Sequence, residues 1–366
     1  MLGLETRNID FEILSFIKKF SSRPASDQIF RKTAFKLFAY QFARNENYRK
    51  FCRMEGKSPG TVTSWKEIPA MPTIGFKELV LATFPVRNAV KIFKTSGTTR
   101  ETTGAHFFDT LKLYEAAILP RFKAFLMPDT QDFSFFFLVS PPKESPNSSL
   151  SHMAGVVNKY FAKGKGRFYV RHGEIKSEAL LRDLETRRKK ALIFSAAFSL
   201  KCFLDFLRDR QLFLQLSKGS RLMETGGFKG RVREISKAAL YSECGKRLGI
   251  DRSFCVGEYG MTELSSQFYD TTLRDRFLKI KRRPFKIGPS WTRTLVINPK
   301  SGEEARKGSV GILRHFDLAN RGSVLAVQTE DLGRQVGEGF ELLGRAKDSE
   351  LRGCSLNYEK FLSLSP

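Results

Sequence analysis

Apolar residues recur at helical spacing over residues 8–48, in two segments interrupted by the SSRPAS stretch, and predict two amphipathic helices at the start of the chain. Residues 58–90 carry Pro and Gly punctuation (SPG, PAMPTIG, FPV) and predict an irregular approach to a Thr-rich stretch. A helix is expected from Asp109 to about Leu126. Strand-like and helix-like segments then alternate. FSFFFLVS at 133–140, ALIFSA at 191–196, SRLMET at 220–225 and RSFCVGEYG at 252–260 read as strands. Helices are expected near Ser151 to Phe161, from about Leu200 to Leu214, and from Arg231 to Leu248. Short apolar strands alternating with helices predict a layered α/β domain with a largely parallel sheet. From about residue 290 the pattern changes to RTLVIN, SVGILRHF and SVLAVQTEDLG, separated by SGEE and NRG turns, which predicts an appended antiparallel β unit. The expected division is therefore 1–290, an α/β core with a helical N-terminal segment, and 291–366, a β-rich subdomain with a short tail carrying Cys354.

Composition narrows the class. The 366 residues are 41% hydrophobic, a globular balance, and the 34 Phe against 2 Trp read as core filling. Glu5, Arg7, Asp10 and Glu12 interrupt the N-terminal apolar residues, so no signal peptide is expected, and no apolar run approaches the roughly 20 residues a membrane helix needs. Five cysteines without a CxxC pair and four scattered histidines fit neither a disulfide framework nor a zinc site, and suit a reducing cytoplasm. The net charge of +25 draws polyanions, but Lys and Arg are spread along the chain, with short clusters such as RRKK at 187–190 and KIKRRPFK at 279–286. A basic solvated surface is the preferred reading over specific nucleic-acid binding, with peripheral contact to an anionic membrane left open.

Three stretches carry candidate chemistry. IFKTSGTTRETTG at 92–104 combines hydroxyls with small residues, between an expected strand and an expected helix. Small residues let backbone approach a ligand, and hydroxyls and amides bind phosphate oxygens. A polar surface loop would have the same composition, and the Walker A spacing is absent. VGEYGMTELSSQ at 256–267 places Glu263 beside Thr262 after a strand, where a carboxylate could hold Mg²⁺ and Tyr259 could stack a purine; a capped helix turn would look the same. TEDLGRQVGEGFELLGRAKD at 329–348 places Asp331 in a turn-like setting suited to ribose hydroxyls, with Arg345 able to reach phosphate or ribose. An ordinary charged hairpin is the alternative.

Taken in order, TSGTT, YGMTE, T-x-D-L-G and GRAKD resemble the adenylate-forming superfamily of acyl and aryl ligases, over about three quarters of the chain. SSLSHMAG at 148–155, GGFKG at 226–230, the terminal RGCSL and a chain stopping soon after GRAKD narrow the resemblance to the LuxE-type acyl-protein synthetases. The resemblance implies a large α/β N-terminal domain of adenylate-forming type without the usual full C-terminal lid domain. It implies ATP and Mg²⁺ as cofactors, a long-chain fatty acid or other carboxylic acid as substrate, and an acyl reductase as protein partner. Two departures stand out. Arg100 occupies the position of the usual loop glycine with no proline following, and Glu330 replaces the glycine of Thr-Gly-Asp.

The residue roles implied are these. Thr95, Ser96, Gly97, Thr98 and Thr99 bind phosphates; Gly226 and Gly227 allow close approach near the base; Tyr259 packs on adenine beside Gly260. Thr262 and Glu263 form the catalytic carboxylate turn, with Glu263 on Mg²⁺. Asp331 and Arg345 hold the ribose, and Cys354 accepts the acyl group. Arg352, Arg345 and Lys347 lie near Cys354 in sequence and would favour its thiolate. Cys52, Cys202, Cys244 and Cys255 read as core. An acyl- or aryl-CoA ligase and a non-enzymatic basic binding module are the competing classes.

Overall fold

The computed structural model describes residues 3–95, 103–226 and 235–346. The chain divides into two compact units, one of Met1–Ala117, Met261–Gln267 and Phe285–Pro366, the other of Ile118–Gly260 and Phe268–Pro284. The observed architecture is mixed α/β.

In the first unit the N-terminal segment forms three helices, Leu4–Lys19, Asp27–Arg44 and Glu46–Met54, where two were expected. Asn45 explains the difference. Its side chain accepts from the Tyr48 amide (3.1 Å), ending one helix and starting the next with a single cap. Strands Thr292–Ile297, Val310–Asp317, Ala326–Val336 and Gly339–Arg345 follow one another as an antiparallel sheet, as the alternation after residue 290 predicts. Met71–Pro72 adds to it in parallel, opposite Val327 and Gln328. Lys91–Lys94 and Ala105–Phe108 pair as an antiparallel hairpin.

A buried cation ties three parts of this unit together. Arg321 is 1% exposed, donates from Nε to Asp10 (2.7 Å), and donates from Nη1 and Nη2 to Asp109 (2.9 and 2.7 Å). Burial alone would weaken its hold on the proton, but the bonds to Asp109 and Asp10 outweigh it and strengthen that hold. Asp10 lies on the first helix and Asp109 directly after the hairpin. Arg321→Leu strands two partly buried carboxylates, so urea unfolding should show a loss of about 3–5 kcal/mol.

In the second unit, Arg167–Phe168, Ser134–Leu138, Ala191–Ala196, Arg221–Thr225 and Cys255–Tyr259 lie side by side in parallel, and Phe268–Asp270 pairs antiparallel with Cys255–Tyr259. Helices Ser149–Tyr160, Ser177–Thr186, Ala197–Asp209 and Lys237–Leu248 connect them. The strands are near-continuous apolar runs because both faces are covered. Phe136, Ile193, Leu200, Phe203, Leu222 and Leu240 belong to the core on one side. Lys237–Leu248 ends at Gly249, whose φ of 67° puts it in the left-handed conformation that glycine adopts without strain. Among the described residues, no helix is long and apolar enough to cross a membrane.

Candidate active site

The Thr-rich stretch is framed by the hairpin. Thr95 donates its amide to the Gly104 carbonyl (2.9 Å), and the Gly104 amide returns a bond to Thr95 Oγ1 (2.8 Å). A Cβ on Gly104 would sit 3.1 Å from Thr95 Cγ2 and 3.3 Å from the Phe76 carbonyl, so a side chain there would push on the neck. The expectation of a strand-to-helix loop is corrected here. Residues 105–108 form a second strand, and the helix starts only at Lys112. Ser96, Gly97, Thr98, Thr99 and Arg100 lie outside the described residues.

The turn 261–267 belongs to the same unit and carries Glu263, which is 7% exposed and sits in no helix. Its backbone is clamped from three directions. His106, on the second hairpin strand, bonds from Nδ1 to the Thr262 carbonyl (2.8 Å), and Ser323 Oγ lies 3.0 Å from its Nε2. A carbonyl only accepts, so Nδ1 carries the proton. Burial pushes the His106 pKa down to about 4, so the ring is neutral and Nε2 accepts from the Ser323 hydroxyl. Asn320 Nδ2 donates to the Glu263 carbonyl (2.8 Å). Asp317 takes the Ser265 amide (3.0 Å) and Ser266 hydroxyl (2.8 Å), while Trp291 Nε1 donates to Ser266 Oγ (2.9 Å). Burial pushes the Asp317 pKa up to about 6 in spite of these bonds. Thr262 Oγ1 reaches the Lys94 carbonyl at 3.5 Å, so the hairpin and the carboxylate turn touch directly.

His106→Ala leaves the Thr262 carbonyl and Ser323 hydroxyl without this partner. We expect a loss of about 1–3 kcal/mol in chemical denaturation, partly recovered by His106→Asn, whose amide can donate from near the Nδ1 position.

Burial pushes the Glu263 carboxyl up to about 7; its own amide and Arg345 pull it down, while Asp331 and Glu330 push it further up. Arg345 and Asp331 thus both act electrostatically on Glu263. Asp331 lies within the strand Ala326–Val336, which corrects the expected turn. The chain reverses only at Gly337, where φ is 55°. Asp331 faces Arg345 across the strand pair, with Arg345 Nε 3.8 Å from Oδ1. Glu330, the departure from Thr-Gly-Asp, accepts from Thr73 Oγ1 at 3.4 Å.

In the second unit Tyr259 is buried at a strand end, its ring edge-on to Phe268 (5.8 Å, 63°). Gly226 adopts φ 77° with nothing within 4 Å of an added Cβ, whereas a Cβ on Gly260 would lie 2.4 Å from Glu258 Oε1. Gly227 and Cys354 lie outside the described residues. Sequence reasoning missed two buried carboxylates here. Glu224 accepts from Lys237 Nζ and Tyr241 OH (2.7 Å each), and Glu258 accepts from Thr225. The available signal was a Glu at the carboxyl end of each of two apolar parallel strands, where open α/β sheets place ligands. It also missed His106, Asn320 and Ser323, which had no motif to announce them. Cys52, Cys244 and Cys255 are buried as expected, whereas Cys202 is only half-buried.

No protein-family model matches the sequence, and no curated protein matches it. Solved structures do. The 2-hydroxyisobutyryl-CoA ligase in complex with 2-HIB-AMP and CoA superposes with a TM-score of 0.66 at 13% identity, over 88% of this chain and 75% of that one. ATP-bound MatB from Rhodopseudomonas palustris gives 0.51 at 16% identity, over 73% and 50%. The luciferase-like enzyme from the nonluminescent Zophobas morio mealworm gives 0.50 at 15%, over 72% and 59%. The chain spans about half the length of the MatB it matches. Its fold is that of the adenylate-forming enzymes.

Proposed function

We propose that the protein is a ligase that activates a carboxylic acid, a long-chain fatty acid by the LuxE-type resemblance, and transfers the acyl group to its own Cys354. The observation that carries the adenylation step is Glu263, a buried carboxylate on a clamped turn touching the neck of the hydroxyl-rich hairpin, in a fold shared with enzymes crystallised with ATP or an acyl-AMP. The acid's carboxylate oxygen attacks the α-phosphorus of ATP, and the bond to pyrophosphate breaks. The thiolate of Cys354 then attacks the acyl carbon, and AMP leaves.

Two anions meet in the first step, so positive charge and aligned dipoles must offset their repulsion. The residues fit a divalent cation. Glu263 is a hard oxygen donor with Asp331 and Glu330 acting on it, and no group of three or more His, Cys, Asp or Glu among the described residues forms a protein-only cage. That suits Mg²⁺, which prefers one or two carboxylates together with substrate phosphates. When bound, Mg²⁺ supplies charge opposite the phosphates. Residues 95–99 donate hydroxyls and amides to phosphate oxygens, and Asp331 with Arg345 orients the ribose. In the second unit, the resemblance assigns Tyr259, Gly226, Gly227 and Gly260 to adenine.

A second reading, transfer to CoA, is favoured by the neighbour that holds both 2-HIB-AMP and CoA. One experiment separates them. Intact mass is recorded after incubation with ATP, Mg²⁺ and mixed fatty acids, with and without CoA. A protein heavier by one acyl group supports transfer to Cys354 and hence delivery to an acyl reductase. Acyl-CoA with an unmodified protein supports the CoA ligase. Salt-sensitive polyanion binding with no AMP formed would instead leave a basic binding module.

A further inference from the structure

From a separate feature, the exposed tip 276–284, we infer that the second unit docks on an anionic lipid surface. Every residue from Arg276 to Pro284 is exposed. Within it Phe277 is 38%, Leu278 59% and Ile280 42% exposed, interleaved with Arg276, Lys279, Lys281 and Arg283. The other large exposed apolar residues of this unit, Tyr160 and Phe213, stand singly. Isolated apolar side chains need no explanation, but three in four consecutive positions, set among cations, do.

The tip is built rather than loose. The short helix Thr272–Phe277 closes with two reverse bonds, Lys279 N to the Arg276 carbonyl (3.2 Å) and Ile280 N to the Asp275 carbonyl (2.9 Å). That is the Schellman pattern, with Lys279 at φ 56° where glycine is usual. A lysine held in the left-handed conformation is a local expense that keeps a cation at the apex. Asp275 also takes Arg282 Nε (2.6 Å) and Arg274 Nη2 (3.0 Å), pinning the two flanks together. The residue at the Ile280 position of this motif commonly packs back on its helix; here it stays exposed.

Charge and side-chain type select the partner. A chain of net charge +25 favours a polyanion. Nucleic acid would use the cations but gains nothing from Leu278 and Ile280. The ring suited to stacking on a base, Phe277, is already edge-on to Phe254 (6.3 Å) and beneath the Arg221 guanidinium (5.9 Å). Aliphatic side chains ringed by Lys and Arg match the boundary between acyl chains and anionic headgroups.

The test uses the full chain and sedimentation with phosphatidylcholine vesicles, with or without about 30% phosphatidylglycerol, at about 0.1 M salt. Binding is expected to the anionic vesicles only. Lys279→Gly with Lys281→Gln removes two cations, the glycine suiting the left-handed backbone, and should weaken binding about 25-fold. Leu278→Ser with Ile280→Ser, both exposed, should weaken it about tenfold or more, with an unchanged melting temperature. Failure of the natural chain to bind anionic vesicles, equal binding to both vesicle types, or full retention in the serine variant would each overturn the inference. If the serine variant is unaffected and oligo-dT binds as tightly as the vesicles, the tip is a polyanion site instead. No arm uses ATP or a fatty acid, so the outcome is independent of the proposed chemistry.

Discussion

Glu263→Gln is expected to lower acid-dependent AMP formation by about 10²–10³-fold and, without nucleotide or Mg²⁺, to make the protein more stable at pH 8. Both effects have one cause. The turn buries a carboxylate whose pKa is pushed up to about 7, and the Glu263 backbone is held by Asn320 so that the group cannot swing out cheaply. In the unfolded chain a Glu titrates near 4.5. Below that value both states are protonated and the site is neutral to stability. As pH rises toward 7 the unfolded chain releases its proton first, so unfolding is favoured. Above 7 the full penalty, about 3–3.5 kcal/mol, is present. Glutamine keeps the shape and removes the charge. Urea melts at pH 4 and pH 8 should therefore show the variant's advantage only at pH 8. An advantage equal at both pH values would remove the buried-charge account, and an activity loss below tenfold would remove Glu263 from the machinery.

Cys354→Ala should abolish covalent acylation while leaving acyl-AMP formation within about twofold, because the thiol acts only after the adenylate exists. The remaining thiols make this a clean test. Burial pushes Cys52 and Cys255 up to about 12 and Cys244 well above its ordinary value, so at neutral pH their thiolate fractions are negligible. Cys202 is half-buried and also raised, chiefly by burial. Acyl label persisting in Cys354→Ala and vanishing on further replacement of Cys202 would move the acceptor site. Loss of acyl-AMP itself would show that Cys354 serves adenylation rather than transfer. The assignment rests on resemblance, since Cys354 lies outside the described residues.

The periodic parts of the fold were readable in advance because their pattern is set by burial. FSFFFLVS and ALIFSA are predominantly apolar, and the strands Ser134–Leu138 and Ala191–Ala196 form within them. Where local pattern and tertiary pairing compete, the reading failed. Ala-His-Phe-Phe at 105–108 is too short to announce itself beside the helix that follows, yet pairing with Lys91–Lys94 makes it a strand. Asp331 sits between turn-prone neighbours, yet the partner strand Gly339–Arg345 keeps it extended.

The site divides along the same line. Glu263, Asp331 and Arg345 were proposed from sequence because motifs mark groups that would meet a ligand. The residues that position them were not. His106, Asn320, Ser323 and Asp317 act through contacts spanning up to 217 positions of sequence, as between His106 and Ser323. No spacing rule encodes such a contact. A lone histidine in an apolar strand reads as core until its two ring nitrogens are seen to join the hairpin and the Thr262 carbonyl.

Exchange of labelled pyrophosphate into ATP tests the adenylation claim most directly, because it requires reversible acyl-AMP formation and nothing downstream. With Mg²⁺ and a long-chain fatty acid, label should enter ATP at a rate that depends on the acid, persists in Cys354→Ala and collapses in Glu263→Gln. Exchange that stays at background with every carboxylic acid offered, in protein that melts cooperatively, would contradict the account.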